Sequence, residues 1–289
     1  MPTKIEKDAV TGTDTTGHEW DGIKELNTPL PKWWLYTFYA TIVWALGYFV
    51  LYPAWPSLSG HTPGILGWTM RGEIAEQLVQ ANTAQAPFVN RIAAASLEDI
   101  SKSTDLRNFA MAGGRSVFAE NCAPCHGSGG AGSKGFPNLV DDNWIWGGKL
   151  DDIHTTIQHG IRNANPESRI SQMPRFGTDE ILTLAQIDDV AEYVLTLSKR
   201  VRDAAAAKRG EAVFAENCVA CHQEGGVGNP EMGAPNLAAN IWLYGGDKAT
   251  LVETIRYSRQ GAMPAWSERL DAARIKMLTV YVHALGGGE

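Results

Sequence analysis

The sequence predicts an all-α protein in which one membrane-spanning helix is followed by two tandem copies of a small helical domain. Three observations carry this. Residues Trp33 to Tyr52 contain no charge. The segment GRSVFAENCAPCH (114–126) recurs as GEAVFAENCVACH (210–222), one unit written twice. Each copy then closes with an apolar stripe at helical period, Ile187, Val190, Val194 and Leu197 in the first and Ile275, Leu278, Val282 and Leu285 in the second.

A chain of 289 residues with 44% hydrophobic content has room for two or three small domains. Its net charge of −7 argues against nucleic acid as a partner, because phosphate binding needs a basic face.

The uncharged run spans roughly 30 Å as a helix, matched to the hydrocarbon core of a bilayer. Trp33, Trp34 and Tyr36 flank one end, and Tyr48, Tyr52 and Trp55 the other, where amphipathic rings favour the membrane interface. Pro53 and Pro56 stop the helix, so the span is expected over 33–55. A buried core helix rarely lacks polar residues all round, and a signal-peptide core is shorter. Lys4, Lys7, Lys24 and Lys32 precede the span and only Arg71 follows closely, which predicts a cytoplasmic N-terminus and periplasmic domains in a bacterial inner membrane, with lipid around the span.

Residues 1–32, with Gly12, Gly17 and the TGTDTT run, carry too few apolar side chains to bury and are expected to lack regular structure. Residues 56–104 read as a connector with helical periodicity in RGEIAEQLVQA and PFVNRIAAASLEDI. The two repeats then occupy 105–200 and 201–289. Pro137-Asn138-Leu139 returns as Pro235-Asn236-Leu237, Ile161-Arg162 as Ile255-Arg256, and Met173-Pro174 as Met263-Pro264. Thr183 with Gln186 predicts a capping box for the first closing helix. Asp271 is the expected N-cap of the second, which Gly286 to Gly288 should end.

All four cysteines fall in two Cys-x-x-Cys-His motifs, Cys122/Cys125/His126 and Cys218/Cys221/His222. The spacing lets two thiols add to the two vinyl groups of one haem while the adjoining imidazole reaches the iron, which predicts two covalently bound haem c groups. A zinc site would want further ligands at comparable spacing, and a redox dithiol would sit in a βαβ pattern.

An electron-transfer haem takes a second axial ligand, and a thioether favours ferrous iron relative to a second histidine. Met173 and Met263, each followed by proline at a comparable distance after its motif, are the candidates. Each could serve the iron of its own repeat or of the other, and spacing leaves both open. Met70, Met111, Met232 and Met277 read as packing, and His154, His159 and His283 as structural histidines. Gly114/Phe118 and Gly210/Phe214, with Tyr193 and Tyr281 on the closing helices, are small and aromatic residues suited to close helix crossings. Trp144, Trp146, Trp242 and Tyr244 stand at equivalent places, as haem-edge walls or plain core.

The repeats resemble class I cytochrome c domains over 105–289. GHEWDGIKELNTPLPKWW (17–34), running into the span, is similar to the start of the dihaem subunit of cbb3-type cytochrome c oxidases, the CcoP/FixP family. That resemblance implies covalent attachment at Cys122, Cys125, Cys218 and Cys221, axial His126 and His222, and axial Met173 and Met263. It implies as partners a catalytic subunit with haem b and copper, a monohaem cytochrome c subunit and a cytochrome c electron donor.

The expected function is one-electron transfer towards a subunit that reduces oxygen to water, with no catalytic residue in this chain. A freestanding peroxidase would want an open or labile axial position, against which the paired Met-Pro motifs argue. An independent membrane-tethered shuttle, or the cytochrome subunit of a periplasmic dehydrogenase, would need the same haems, and only the N-terminal resemblance separates it from the oxidase reading.

Overall fold

A computed structural model describes residues 4–200 and 202–287. It is mostly helical and divides into two compact units, one ending at Thr83 and the other beginning at Ala84.

In the first unit, helix α1 (Lys32–Leu51) begins after Pro31 and ends at Tyr52, just before Pro53. It is 20 residues long with a mean hydropathy of 1.4 and buries none of its side chains against protein, as suits a helix whose every face meets lipid. Its rings stack on one another, Trp44 on Tyr48 at 5.4 Å and Tyr48 on Tyr52 at 4.6 Å.

The N-terminal stretch corrects an expectation. Strands β1 (Thr15–Trp20) and β2 (Ile23–Leu26) form an antiparallel hairpin that pairs Trp20 with Ile23 across Asp21-Gly22. Both turn residues have positive φ, 48° and 84°. Asp-Gly is a favoured pair for such a two-residue turn, whose twist matches that of the flanking strands.

Helix α2 (Met70–Ala94), which runs across the division, and α3 (Leu97–Lys102) in the second unit realise the periodicity of the connector. The haem-motif segments are α4 (Thr104–Asn121) with the single turn α5 (Ala123–His126), and α8 (Ala204–Asn217) with the single turn α9 (Val219–His222). Helices α6 (Leu150–His159) and α10 (Lys248–Tyr257) follow the motifs. The closing helices are α7 (Leu184–Leu197) and α11 (Ala272–His283). The capping box of Thr183 and Gln186 is present, and the Asp271 carboxylate accepts from the backbone N–H of Arg274. Helix α11 stops at His283 with Ala284 as C-cap, ahead of the glycine run; Gly288 lies outside the described residues.

Packing crosses between the repeats. Closing helix α7 of the first repeat lies on α8 and α10 of the second, and closing helix α11 of the second lies on α4 and α6 of the first. One core gathers Phe176, Ile187, Val190, Phe214, Leu251 and Ile255, and the other Phe118, Ile153, Ile157, Ile275, Leu278 and Val282. At each crossing a glycine lets the backbones meet. A Cβ on Gly114 would lie 2.6 Å from Cβ of Tyr281, and one on Gly210 would lie 2.8 Å from the backbone nitrogen of Val190. Beside them, Phe118 meets Tyr281 at 5.4 Å and Phe214 meets Tyr193 at 5.0 Å.

The helix ends also correct one repeat correspondence. Helices α6 and α10 are both capped at their C-termini by left-turning residues, Gly160 (φ 68°) and Ser258 (φ 54°), so Ile255-Arg256 matches Ile157-Gln158 and not Ile161-Arg162. Ile157 and Ile255 are both buried.

Candidate haem sites

Each Cys-x-x-Cys-His motif starts where a long helix ends. Cys122 caps α4 and Cys218 caps α8; the N–H of His126 then donates to the Cys122 carbonyl, and that of His222 to the Cys218 carbonyl, both at 2.9 Å. This single turn gathers both thiols and the imidazole of one motif.

Burial, with a smaller contribution from the neighbouring cysteine, pushes the Cys122 and Cys218 thiols up to about 11. The direction is opposite to that of the depressed thiols of redox dithiols.

The two histidines are held alike. Ring Nδ1 of His126 lies 3.0 Å from the Pro137 carbonyl, and that of His222 lies 3.0 Å from the Pro235 carbonyl. A proton on Nδ1 donated to that oxygen leaves the Nε2 lone pair for a metal and fixes the ring's orientation. Burial lowers both imidazole pKa values, outweighing the carbonyl contact that raises them. The paired Pro-Asn-Leu segments noted in the sequence thus supply the acceptors.

The first motif opens into a crevice enclosing about 1270 Å³, counting its mouth, which Cys122, Cys125, His126 and Met263 all line. Its walls include Ile153, Ile157, Leu278 and Trp266. Met263 comes from the other repeat. Its backbone pairs with Ile161 in both directions at 2.9 Å, and the Asn163 amide donates to its carbonyl at 2.7 Å. Met173, in turn, packs in the core that contains Phe214, Leu251 and Cys218. Its carbonyl accepts from the Ser258 hydroxyl at 2.5 Å. The structure therefore places Met263 in the crevice of the first motif and Met173 in the core that holds Cys218 of the second, each on the side of the opposite repeat, one of the two arrangements that spacing left open.

The donor inventory fits haem. Trp146 Nε1, Arg169 Nε and Trp242 Nε1 are buried and have no hydrogen-bond partner among the described residues. Trp146 lines the first crevice, and the Arg169 guanidinium lies over its ring at 5.4 Å. Buried donors want acceptors, and the two propionates of a haem supply carboxylates at the edge of an otherwise apolar ring. Trp144 differs, since its Nε1 donates to the Gly287 carbonyl.

The other candidates fall elsewhere. His154 and His159 lie on α6, His159 with its Nδ1 3.2 Å from a Glu167 carboxylate oxygen. Met277 is buried packing between α11 and α4, whereas Met70 and Met232 are exposed.

Known families match both the N-terminal segment and the two repeats. Residues 12–59 match the N-terminal domain of cytochrome oxidase-cbb3, FixP, and residues 109–194 and 205–282 match the family of cbb3-type cytochrome c oxidase subunit III. The chain is 57% identical to a cbb3-type cytochrome c oxidase subunit CcoP from Azospirillum brasilense, over 98% of this chain and 99% of that protein. It is 54% identical to a FixP subunit from Bradyrhizobium diazoefficiens over the full length of both, and 50% identical to a CcoP subunit from Cereibacter sphaeroides over 95% of each. A match that includes the N-terminal segment and the span does not favour the independent shuttle. The chain belongs to the CcoP/FixP family: it is a membrane-anchored electron-transfer subunit of a cbb3-type cytochrome c oxidase, carries two haem c groups in tandem cytochrome c domains, and works in a complex with other oxidase subunits.

Proposed function

We propose that Cys122 and Cys125 attach one haem between axial His126 and Met263, and that Cys218 and Cys221 attach the other between axial His222 and Met173. The observation that carries this is Met263 of the second repeat lining the same crevice as Cys122, Cys125 and His126 of the first. A haem held by these imidazoles and thioethers would supply one-electron transfer at iron. The residues of the chain orient the imidazoles through the Pro137 and Pro235 carbonyls, exclude water with Trp266 and the aliphatic walls, and bind propionates through Trp146, Arg169 and Trp242.

The chain is then no enzyme by itself. It takes electrons from a cytochrome c donor and passes them, beside a monohaem cytochrome subunit, to the catalytic subunit with haem b and copper. The repeats at 105–200 and 201–289 each carry one attachment motif and exchange their methionine segments. Segment 1–32 is cytoplasmic, 33–55 spans the inner membrane, and 56–104 links it to periplasmic haem domains, in keeping with lysines before the span and Arg71 alone soon after it.

The ligand assignment is tested in a full-length chain that carries Cys122→Ala and Cys125→Ala and so retains one haem. In that background Met173→Leu should abolish the near-infrared sulfur-to-iron charge-transfer band and Met263→Leu should leave it. The reverse pattern would mean that each methionine serves its own repeat.

A further inference from the structure

One side chain of the first repeat is bonded to both methionine loops. Arg162 stands two residues beyond Gly160, the C-cap of α6. Its Nε donates to the Gly261 carbonyl at 2.7 Å, and its Nη1 donates to the Ser171 carbonyl at 3.0 Å. These acceptors are equivalent positions: Gly261 lies two residues before Met263, and Ser171 two residues before Met173.

The remaining pins are private to one loop. Ile161 and Asn163 hold Met263, and the Ser258 hydroxyl holds Met173. Arg162 alone among these residues joins the two loops. Its backbone has φ 48°, uncommon outside glycine, and is held there by a local bridge in which its own N–H donates to the Arg169 carbonyl at 2.9 Å. The side chain lines the first crevice and is partly buried, with Tyr244 near it; burial pulls its pKa below the ordinary value, yet a guanidinium stays charged at neutral pH.

We propose that Arg162 is a positioning residue shared by the two haem sites, whose guanidinium fixes both axial-methionine loops at once and so sets the placement of both sulfur atoms. The inference rests on Met173 and Met263 being axial ligands. The physical basis is the shape of the donor. A guanidinium presents several N–H groups in one rigid plane, so two carbonyls bonded to it have a fixed relation to one another. An ammonium is a single point on a flexible stem and imposes no such relation. A displacement of one loop is thereby felt by the other.

The test uses the full-length, haem-loaded chain in mild detergent, with two readouts: the near-infrared charge-transfer band of the oxidised protein and the two midpoint potentials from a redox titration. Arg162→Gln is expected to weaken the band at both haems and to lower both potentials, because loosened thioether ligation no longer favours ferrous iron. Asn163→Ala should shift one potential only, and Ser258→Ala only the other. Should Arg162→Gln fail to take up haem, Arg162→Lys, which keeps the charge and loses the fork, is read in the same way. A shift of one potential, or of neither, in a folded Arg162 variant overturns the shared clamp. A band that survives Met173→Leu and Met263→Leu together overturns the ligand reading and the clamp with it. Loss of the band in those two variants, beside a one-site effect of Arg162, overturns the clamp alone.

Discussion

Phe118, four residues before the first haem motif, packs against Tyr281 on the last helix of the other repeat, with ring centroids 5.4 Å apart and planes tilted by 53°. Phe214 and Tyr193 repeat the contact at the second motif, 5.0 Å apart. The aromatic corner beside each haem therefore has one wall from each repeat, and the stability of one haem site depends on the far end of the chain.

This dependence predicts the effect of Phe118→Ala. Phe118 is 1% exposed, and truncating a buried phenylalanine costs about 3–5 kcal/mol. Thermal unfolding should show a lower Tm, and hydrogen exchange should show loss of protection in α11 as well as in α4. Protection lost in α4 alone would contradict the packing.

What could be read from the sequence was what is local. The Cys-x-x-Cys-His spacing, the Thr183–Gln186 box and the Asp271 cap each need only a few consecutive residues. Small and aromatic residues at repeated places correctly marked Gly114, Phe118 and Tyr281 as helix-crossing residues. An apolar stripe, however, states which face is buried and not which helix covers it, so the exchange between repeats was invisible. The N-terminal hairpin carried a readable signal, Asp21-Gly22 between Trp20 and Ile23, which the low apolar content of the region outweighed. Asn163 and Ser258 carry no signal, and Arg162 was marked only as a repeat landmark, since each gains its role through a bond to a residue far along the chain.

Glu192 on α7 predicts an acid-sensitive link. It is 2% exposed, its carboxylate lies 3.0 Å from Lys248 Nζ on α10, and it accepts from the backbone N–H groups of Arg202 at 3.1 Å and Asp203 at 3.2 Å. Burial alone would push its pKa up, but the Arg202 and Asp203 N–H groups and the Lys248 ammonium outweigh it and hold the pKa below the ordinary 4.5. A carboxyl whose folded pKa is depressed contributes stability above its unfolded pKa and loses it as pH falls through the folded value. Glu192→Ala leaves buried donors unpaired, at a cost of about 1–3 kcal/mol near neutral pH. The gap between wild type and variant, followed by denaturant unfolding, should shrink as pH falls from 4.5 through the lower folded value. A gap that widens on acidification would overturn the sign.

Helix α1 buries no side chain against the rest of the described chain, as a membrane anchor requires. Leu46→Arg places a charge within the span, where insertion scales assign about 2.5–3.5 kcal/mol to arginine at a helix centre. The variant should appear in smaller amount in the carbonate-washed membrane fraction, whereas Trp33→Phe, at the end of the helix, should not. Equal recovery of Leu46→Arg and wild type would argue that α1 is not embedded.

The exchange of closing helices predicts which pieces of the chain fold alone, and the prediction departs from the repeat boundaries. A piece from residue 170 to residue 260 contains α7, α8, α9 and α10, with Met173, Cys218, Cys221 and His222, and includes the whole core around Phe176, Ile187, Phe214 and Leu251. A piece from 201 to 289, the second repeat as written in the sequence, lacks α7 and with it Ile187, Val190 and Val194, so the face of α8 that carries Gly210 and Phe214 stays uncovered. Losing that many buried aliphatic side chains removes about 1.5–3 kcal/mol for each, more than a small domain can spare. Expressed with the haem-attachment machinery, the 170–260 piece should be helical by far-UV circular dichroism and show the sulfur-to-iron band, and the 201–289 piece should show neither. A folded 201–289 piece with an intact band would mean that Met263 can serve the haem of its own repeat, and that the exchanged packing is not required.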